Sequence, residues 1–317
     1  MNRERNRVVV VTGASSGIGR ATARAYARKG ARVVLASRSG SALETVAQEC
    51  HDRGGQALVV PTDVSDEQAV HALAAAAIAA FGRIDVWVGN AGVFAYGDFE
   101  VLPSDVFRQV IDTNLFGQIH GVRAVLPHFR RQASGTLVIV ASMYSRVGSP
   151  AISPYATSKF SLLGFTECLR QELRGSGIRL RVVLPGSVDT PIYQHAANVT
   201  GRRVHPLPPA ASPERVARVI MRSPRRRRFK TFVSRSQTAV LPLHDLAPRV
   251  YDAVVAWLLH HVELREHNVA ASTGTVFAAP DTADAVRGGW RSRGVRYMVG
   301  ALATAAATAL LLRARNR

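Results

Sequence analysis

A glycine-rich segment near the start of the chain limits what this sequence can fold into. Residues 7–12 read Arg-Val-Val-Val-Val-Thr, a β-branched run typical of a strand buried on both faces. Residues 18–29 have the pattern of a helix, and Gly13, Gly17 and Gly19 lie at the junction. Glycines in such a strand-to-helix turn let the backbone approach a pyrophosphate closely, and the N–H groups of the new helix face the anion. The segment therefore predicts a dinucleotide-binding turn at the edge of a parallel sheet.

Strand-like and helix-like segments alternate from this turn to about residue 233. Strand patterns recur near residues 31–37, 57–61, 84–89, 136–141, 178–184 and 229–233, and helix patterns near residues 41–53, 66–81, 104–132, 155–175 and 213–222. Strands that are separated by helix-length segments are joined by right-handed crossovers, which build a parallel sheet with helices on both faces. The sequence predicts the α/β class, with a doubly wound parallel sheet and a helical C-terminal extension.

The chain is expected to divide into three parts, which are a sheet domain over residues 1–233, a helical extension over residues 234–284 and a basic tail over residues 285–317. Six prolines in residues 185–213 predict an irregular segment or lid. The extension carries an apolar stripe over residues 241–259, interrupted by Pro248. A stripe of this kind predicts a helix that faces either a membrane or a second copy of the chain.

The C-terminal part of the chain is strongly basic. Of 41 basic and 22 acidic residues, residues 201–317 hold 20 and 7, so this part is expected to meet an anionic surface. Residues 297–312 carry no charge. Sixteen helical residues span about 24 Å, short of a hydrocarbon core of about 30 Å. Three interpretations stay open for them: a short membrane anchor, a helix in the membrane interface, and a hydrophobic helix that docks on its own fold or on a partner subunit.

Cysteine usage and charge pattern bound the compartment and the partners. The two cysteines, Cys50 and Cys168, form no CxxC spacing, which favours a reducing compartment such as the cytoplasm. The arginine run at residues 225–228 is accompanied by no nucleic-acid fold and no interleaved aromatic series, so nucleic-acid binding is not expected. We predict a cytoplasmic protein without a metal site, which residues 297–312 would associate with a membrane surface.

Several motifs occur in one order along the chain. They are Thr12-Gly13-(x)3-Gly17-x-Gly19, Asp63-Val64, Asn90-Ala91-Gly92, Asn114, Ser142, Tyr155-(x)3-Lys159 and Pro185-Gly186. This ordered set resembles the short-chain dehydrogenases/reductases over residues 7 to about 233. The resemblance implies a Rossmann-type sheet, a nicotinamide cofactor and reversible carbonyl–alcohol chemistry. It also implies a homo-oligomer, for which a dimer is favoured because the C-terminal extension departs from the shorter family pattern.

Four residues are expected to carry the chemistry. Hydride delivery to a carbonyl makes an alkoxide, which needs a proton donor within reach. Tyr155 is the expected acid–base group, and Lys159, one helical turn later, is expected to lower the pKa of its phenol. Ser142, at a strand end, is expected to hydrogen-bond the carbonyl oxygen. The resemblance implies that Asn114 fixes a water that links the lysine to solvent, and that Lys159 also holds the nicotinamide ribose.

Cofactor choice depends on the end of the second strand. Relatives that bind NAD usually place an acidic residue there, whereas this chain has Ser37 and Arg38, which suit a 2′-phosphate. The sequence predicts NADP(H), with NAD(H) as the alternative. The full set of expected cofactor residues is Gly13, Ser15, Ser16, Gly17, Ile18, Gly19, Ser37, Arg38, Asp63, Val64, Asn90, Ala91, Gly92, Tyr155, Lys159, Pro185, Gly186, Val188 and Thr190. The resemblance assigns Asp63 to the adenine amino group, Asn90 to the adenine-ribose pocket and Thr190 to the nicotinamide amide.

The substrate is a small molecule whose identity the sequence leaves open. Loop residues expected near the reacting carbon are Met143, Tyr144, Val147, Ile152, Ile192, Tyr193 and His195. Their apolar and aromatic character favours a lipophilic ketone, aldehyde or secondary alcohol. Two alternatives to an NADP(H)-dependent enzyme stay open at this point: an NAD(H)-dependent alcohol dehydrogenase and a non-catalytic NADP(H)-binding scaffold held at a membrane.

Overall fold

The computed structural model describes residues 4–234, 238, 240–280 and 285–290. Its strands are β1 (Val8–Thr12), β2 (Arg32–Ser37), β3 (Gln56–Pro61), β4 (Val86–Gly89), β5 (Ala95–Tyr96), β6 (Gly135–Val140), β7 (Ile178–Leu184), β8 (Ala197–Asn198), β9 (Arg202–Val204), β10 (Lys230–Phe232) and β11 (Leu264–His267). Its α-helices are α1 (Gly17–Ala27), α2 (Gly40–His51), α3 (Glu67–Phe81), α4 (Ser104–Ile111), α5 (Gly117–Arg131), α6 (Ser153–Glu172), α7 (Pro213–Arg222), α8 (Val240–Leu246) and α9 (Pro248–Leu258).

Seven of these strands form one parallel sheet, in the order β10-β7-β6-β4-β1-β2-β3. The predicted doubly wound parallel sheet is therefore confirmed. The order reverses beside β1, because β2 and β3 extend the sheet in one direction and β4, β6 and β7 in the other. In open α/β sheets, ligands bind outside the carboxyl ends of the strands at such a reversal. The topology thus places the glycine-rich turn after β1 at the expected ligand crevice.

Helices cover both faces of the sheet. Val8 and Val10 pack on one face and Val9 and Val11 on the other, because successive side chains of a strand point in opposite directions. Helices α3, α5 and α6 bury apolar residues against the first face, and α1, α2 and α7 against the second. All four valines are fully buried, which accounts for the uninterrupted β-branched run in the sequence.

One predicted helix differs from the structure. The helix expected over residues 104–132 is divided into α4 and α5 by a π-helical turn at Asp112–Phe116. A π-helical turn inserts an extra residue into the helical repeat and is frequent at functional sites. The π-helical turn at Asp112–Phe116 carries Asn114. The side chain of Asn114 hydrogen-bonds the backbone of Val93.

The C-terminal extension packs back on the sheet domain. Helix α9 ends in a π-helical turn, Leu259–Glu263, and β11 then pairs antiparallel with β9. The stripe expected over residues 241–259 is broken at Pro248, as predicted, and one side of it faces the protein, since Tyr251 and Leu259 are buried. The expectation that this stripe faces only a membrane or a second copy is wrong for these residues.

The expected hydrophobic tail helix at residues 297–312 lies outside the described residues. Within the described ranges, every helix is too short or too polar to cross a bilayer.

Close packing inside the glycine-rich turn generates a testable prediction. A Cβ atom on Gly19 would lie 1.9 Å from the carbonyl oxygen of Gly13. Backbone atoms cannot move aside as a flexible side chain can, so Gly19→Ala is expected to displace the turn and to lower the Tm by several degrees. The measurement is calorimetric unfolding of the full chain.

Gly164 provides the matched control. It lies on the exposed side of α6, and a Cβ there would meet nothing within 4 Å. Alanine favours a helix over glycine by about 1 kcal/mol, so Gly164→Ala should leave the Tm unchanged or raise it. Equal Tm values for the two variants would contradict the close packing of the turn.

Candidate active site

A single cleft of about 480 Å³ lies at the carboxyl ends of the central strands. It is lined by most of the residues that the sequence singles out: Gly13, Ser15, Ser16, Gly17, Ile18, Ser37, Arg38, Asp63, Val64, Asn90, Ala91, Gly92, Ser142, Tyr155, Lys159, Pro185, Gly186, Val188 and Thr190. Gly19 and Asn114 are not among the lining residues. Gly19 packs behind the turn against Gly13, and Asn114 is fully buried.

The glycine-rich turn is shaped by backbone conformations and by one amide side chain. Gly13 and Gly17 have positive φ angles of 63° and 50°, which favour glycine. The Asn90 side chain donates hydrogen bonds to the carbonyl oxygens of Thr12 and Gly13, at 2.9 and 3.3 Å. Asn90 therefore fixes the shape of the turn as well as lining the cleft.

Ser142 lies just after β6, at the start of a short 3₁₀ turn (Met143–Ser145). Its Oγ accepts a hydrogen bond from the Tyr144 backbone N–H at 3.1 Å. The Met143 N–H donates to the carbonyl oxygen of Pro185 at 2.8 Å, which ties this turn to the segment after β7. The Ser142 hydroxyl hydrogen is thus left to donate into the cleft.

Tyr155 is held on two sides by aromatic rings. Its ring stacks on Phe94 with a centroid separation of 3.8 Å and meets Tyr144 edge-on at 6.2 Å. Its phenol lines the cleft together with Ser142. Burial raises the pKa of Tyr155 to about 12, and the Ser142 hydroxyl offsets only part of that effect. The sequence leads us to expect a lowered phenol pKa from the nearby cation, but in the structure burial dominates.

Lys159 lies one helical turn after Tyr155 and is 4% exposed. Its Nζ donates to the carbonyl oxygen of Val140 at 3.3 Å and lies 5.6 Å from the centroid of the Tyr155 ring. Burial lowers the pKa of Lys159 to about 8, because a cation is disfavoured away from water. At neutral pH the site therefore combines a neutral phenol with a lysine that is largely cationic.

Asn114 connects the π-helical turn to the loop after β4. Its side chain exchanges two hydrogen bonds with the backbone of Val93, at 2.8 and 2.9 Å, and donates to the Ser158 hydroxyl at 3.2 Å. Ser158 in turn donates to the Tyr155 carbonyl oxygen at 2.7 Å. A Cβ on Gly92 would lie 3.0 Å from Asn114 Oδ1 and 3.8 Å from Lys159 Nζ. Asn114 therefore lies close to the lysine and braces the backbone that carries Tyr155.

Arg38 faces the cleft beyond β2, where the sequence predicts a phosphate contact. Its guanidinium donates to the carbonyl oxygens of Thr275, Val276 and Ala278, at 2.5, 3.2 and 3.3 Å. These contacts with the C-terminal extension are separated from Arg38 by more than 200 residues and have no signal in the sequence.

Residues 285–290 contact Gly17 and Thr190, which line the cleft. The Gly17 N–H, the first of α1, donates to the carbonyl oxygen of Ala285 at 3.2 Å. The Trp290 backbone N–H donates to Asp189 Oδ1 at 2.8 Å, and its indole N–H donates to the Thr190 carbonyl oxygen at 3.0 Å. Thr190 is thereby held next to the C-terminal segment.

Asp63 accepts hydrogen bonds from the N–H and hydroxyl of Ser65 at 2.9 and 2.7 Å.

The substrate side of the cleft contains predicted and unpredicted residues. Of the loop residues expected there, Met143, Tyr144, Val147, Ile192, Tyr193 and His195 line the cleft, whereas Ile152 is buried in the adjoining apolar cluster. The residues that sequence reasoning missed are Phe94, Tyr96, Tyr251, Val255, Leu258 and Glu263. The spacing of residues 251, 255 and 258 is helical, so the apolar stripe in the sequence did predict that they share one face of a helix. Nothing in the stripe indicated that this face packs on the sheet domain.

Comparison with known proteins agrees with the fold and the motifs. The family model of the short chain dehydrogenases matches residues 7–199. An uncharacterised oxidoreductase of Bacillus subtilis, YxnA, is 34% identical over 270 residues, which cover 84% of this chain and 76% of that protein. The chain therefore belongs to the short-chain dehydrogenase family, and it is an oxidoreductase of that family.

Two solved structures of the family resemble this chain. One is a short-chain dehydrogenase/reductase from Burkholderia phymatum in complex with NAD, with a TM-score of 0.70 and 27% identity, covering 80% of this chain and 97% of that one. The other is a metagenomic short-chain oxidoreductase in complex with NADP, with a TM-score of 0.62 and 30% identity, covering 73% of this chain and 98% of that one. The family likeness supports a nicotinamide cofactor.

The cleft itself fits such a cofactor. The turn after β1 keeps side chains away from the crevice, since a Cβ on Gly13 would lie 2.9 Å from the Cα of Ala91. Ser16, which precedes α1, makes no side-chain cap to the helix. The same cleft continues from this turn to Tyr155 and Lys159, so one extended molecule can reach both ends.

The burial of Lys159 generates a prediction about stability. Its folded-state pKa of about 8 lies below the ordinary value of 10.5, so the unfolded chain binds the proton more tightly. Below pH 8, the burial of Lys159 therefore lowers the free energy of unfolding by about 3 kcal/mol. This loss disappears as the pH rises from about 8 to 10.5. Lys159→Met is expected to unfold at a higher temperature than the wild type at pH 7, and the difference should shrink by pH 10.

The measurement is the difference in unfolding free energy between the two proteins across pH 7 to 10, which cancels the titration of other groups. Lys29→Met is the control, because Lys29 is exposed. A constant difference between the wild type and Lys159→Met would mean that Lys159 titrates normally.

Proposed function

We propose that this chain is an NADP(H)-dependent oxidoreductase that interconverts a carbonyl and an alcohol on a lipophilic small molecule. The observation that carries the proposal is the placement of Ser142 and Tyr155 in one cleft, beside a buried lysine, where the cleft continues to the glycine-rich turn. A proton donor and a cation at the end of a dinucleotide crevice suit reactions that generate negative charge on an oxygen.

Ser142 and Tyr155 would hold the reacting oxygen. The Ser142 hydroxyl donates a hydrogen bond to the carbonyl oxygen, and the neutral Tyr155 phenol transfers its proton to that oxygen as negative charge develops there. Bound NADPH would supply the hydride to the carbonyl carbon. With a pKa of about 12, Tyr155 retains its proton at neutral pH, which favours the direction of reduction.

Lys159 and Asn114 would support the proton donor. After proton transfer, Tyr155 carries a negative charge, and the Lys159 cation, 5.6 Å from the ring centroid, stabilises it. Lys159 would also bind the ribose of the nicotinamide half. Asn114 holds the loop at Val93 against the start of α6 through its three hydrogen bonds with Val93 and Ser158. Ser158 in turn hydrogen-bonds the Tyr155 carbonyl oxygen.

The preference for NADP(H) rests on the end of β2. Ser37, Arg38 and Ser39 provide a cation and two hydroxyls but no carboxylate that would repel a 2′-phosphate. Arg38 lines the cleft there, and its present carbonyl partners are neutral, so a phosphate would be the stronger partner for its charge. The remaining predicted cofactor residues, except Gly19, line the same cleft.

The substrate end is walled by aromatic and aliphatic side chains. Phe94, Tyr96 and Tyr155 stack in series, and Tyr193 tilts toward Phe94 with a centroid separation of 6.3 Å. Such a wall favours a substrate with a substantial apolar body. This is the basis for assigning a lipophilic ketone, aldehyde or secondary alcohol.

We further propose that the chain self-associates and works in the cytoplasm, close to a membrane. The family resemblance implies that the oligomer is built on the helices predicted near residues 104–132 and 155–175, and Phe116 and Phe160 in these two segments are 44% and 43% exposed. Leu246, Val250 and Trp257 expose a second apolar surface on the extension. The membrane proposal depends on residues 297–312. Its test is cell fractionation of the full chain and of a chain that ends at residue 290, and only the full chain is expected in the membrane fraction.

Replacement of the proton donor tests the proposed chemistry. Tyr155→Phe removes one oxygen from a ring that stays stacked on Phe94, so the fold and cofactor binding should persist. NADPH-dependent reduction of a panel of lipophilic ketones and aldehydes is expected to fall by at least 100-fold in kcat. The measurement is NADPH consumption, followed by absorbance, together with NADPH affinity by fluorescence titration.

Tyr26→Phe serves as the control, since it removes a hydroxyl from a fully buried tyrosine of α1 that does not line the cleft. It should keep kcat within a fewfold of the wild type. Unchanged turnover in Tyr155→Phe would contradict the proposed role. Cofactor binding without turnover of any carbonyl or alcohol would favour a non-catalytic scaffold.

A second substitution tests cofactor choice. Arg38→Ala is expected to raise the KM for NADPH by about tenfold or more and to leave the KM for NADH nearly unchanged, because only NADPH carries the 2′-phosphate. The measurement is steady-state kinetics with both cofactors. If both KM values rise equally, Arg38 acts by holding Thr275–Ala278 instead. If the wild type uses NADH at least as well as NADPH, the assignment is overturned.

A further inference from the structure

The C-terminal extension contributes to the core that surrounds Tyr155. Leu259 and Leu264 are buried in the same apolar cluster as Phe94, Tyr96 and Tyr155. The short turn between these two leucines therefore lies beside the substrate end of the cleft. One residue of this turn, Glu263, is a cleft-lining residue and is only 5% exposed.

The backbone of Glu263 is held firmly. Its carbonyl oxygen accepts a hydrogen bond from the His205 N–H at 2.8 Å. The next residue, Leu264, pairs with Val204 in the β9–β11 ladder, and the Arg203–Glu266 ion pair, at 3.3 Å, joins the same two strands. The extension thus fixes where the carboxyl group enters the cleft.

The carboxyl group of Glu263 is surrounded by tyrosines. Tyr96, Tyr144 and Tyr193 pack in the apolar cluster that contains Leu264, the residue after Glu263. Burial raises the pKa of these three tyrosines and of Tyr251, and the negative charge of Glu263 adds to the effect on all four. All four tyrosines line the cleft. Burial alone raises the pKa of Glu263 to about 8.

Glu263 differs from the other buried glutamate of the described chain. Glu4, 4% exposed, forms ion pairs with Arg7 and Arg225. Within the described ranges, the Glu263 side chain forms neither an ion pair nor a hydrogen bond. A buried carboxyl without a partner costs free energy, and such groups are retained in proteins where a ligand or a solvent molecule provides the partner.

We propose that Glu263 is a specificity-determining residue, and that the substrate carries a hydrogen-bond-donating group, a hydroxyl or an ammonium, which binds the Glu263 carboxyl. This inference rests on the proposed function, since the reacting carbonyl of the same molecule lies at Ser142 and Tyr155. The tyrosine rings around Glu263 hold the apolar body of such a substrate, and their faces also accept a cation. The substrate class is thereby narrowed from lipophilic carbonyl compounds to those with a separate donor group.

The hydroxyl and the ammonium can be separated by the charge that each requires. An ammonium group needs an ionised carboxylate, and glutamine cannot replace it. A hydroxyl group needs only an acceptor oxygen, which the glutamine amide retains. Glu263→Gln therefore distinguishes the two donors, whereas Glu263→Leu removes the acceptor for both.

The experiment compares three ketones of one skeleton: acetophenone, 4-hydroxyacetophenone and 4-(aminomethyl)acetophenone. For the wild type we expect at least one donor-bearing ketone to have a kcat/KM about 10-fold to 100-fold above that of acetophenone, mainly through KM. Glu263→Leu should abolish this preference, so that the three ketones have equal kcat/KM values. Glu263→Gln should keep the preference for a hydroxyl and lose the preference for an ammonium.

Glu44→Gln is the control, because Glu44 is an exposed residue of α2 that does not line the cleft. Its preference among the three ketones should equal that of the wild type. Dissociation constants of the three ketones, measured by calorimetry in the presence of NADPH, do not depend on turnover. These dissociation constants therefore test whether Glu263 binds the donor group even if the protein does not reduce the ketones. Equal affinities for the three ketones in the wild type, or a preference that survives in Glu263→Leu, would overturn the inference.

Discussion

The parallel sheet with its reversal of strand order beside β1 is the constraint on which the rest of the molecule depends. Because every strand of this sheet runs in the same direction, the turn after β1, Ser142 after β6 and the segment after β7 meet at one edge. Helix α6 packs on the sheet and brings Tyr155 and Lys159 to that edge. Residues more than 100 positions apart in sequence thus line one cleft.

Burial controls the electrostatics of this cleft. It raises the pKa of Tyr155 and Glu263 and lowers that of Lys159, so each of these groups moves toward its neutral form. A neutral phenol beside a lysine that is still largely cationic at pH 7 suits proton donation to an oxygen that is gaining negative charge. The same exclusion of water makes the unpaired carboxyl of Glu263 selective, because a substrate group that hydrogen-bonds this carboxyl compensates the cost of its burial and an apolar group does not.

The sequence predicts the sheet and much of the cleft because their signals are local. Buried strands leave β-branched runs, and the turn after β1 leaves glycines at fixed spacing. The contacts of Arg38 with Thr275 and Val276, and the position of Glu263, depend on how the C-terminal extension folds back. No periodicity encodes such pairings. The raised pKa of Tyr155 likewise could not be predicted from the sequence. Burial raises this pKa and a nearby cation lowers it, and three-dimensional packing decides which effect is larger.

Transfer of isotope from cofactor to product tests the proposed chemistry most directly. The full chain is incubated with a lipophilic ketone and NADPH that carries deuterium at both C4 positions of the nicotinamide ring, and the alcohol is analysed by mass spectrometry. Hydride transfer in this cleft predicts an alcohol that is one mass unit heavier than the alcohol made with unlabelled NADPH. An alcohol without deuterium, or bound NADPH that transfers no deuterium to any carbonyl compound tested, would contradict it.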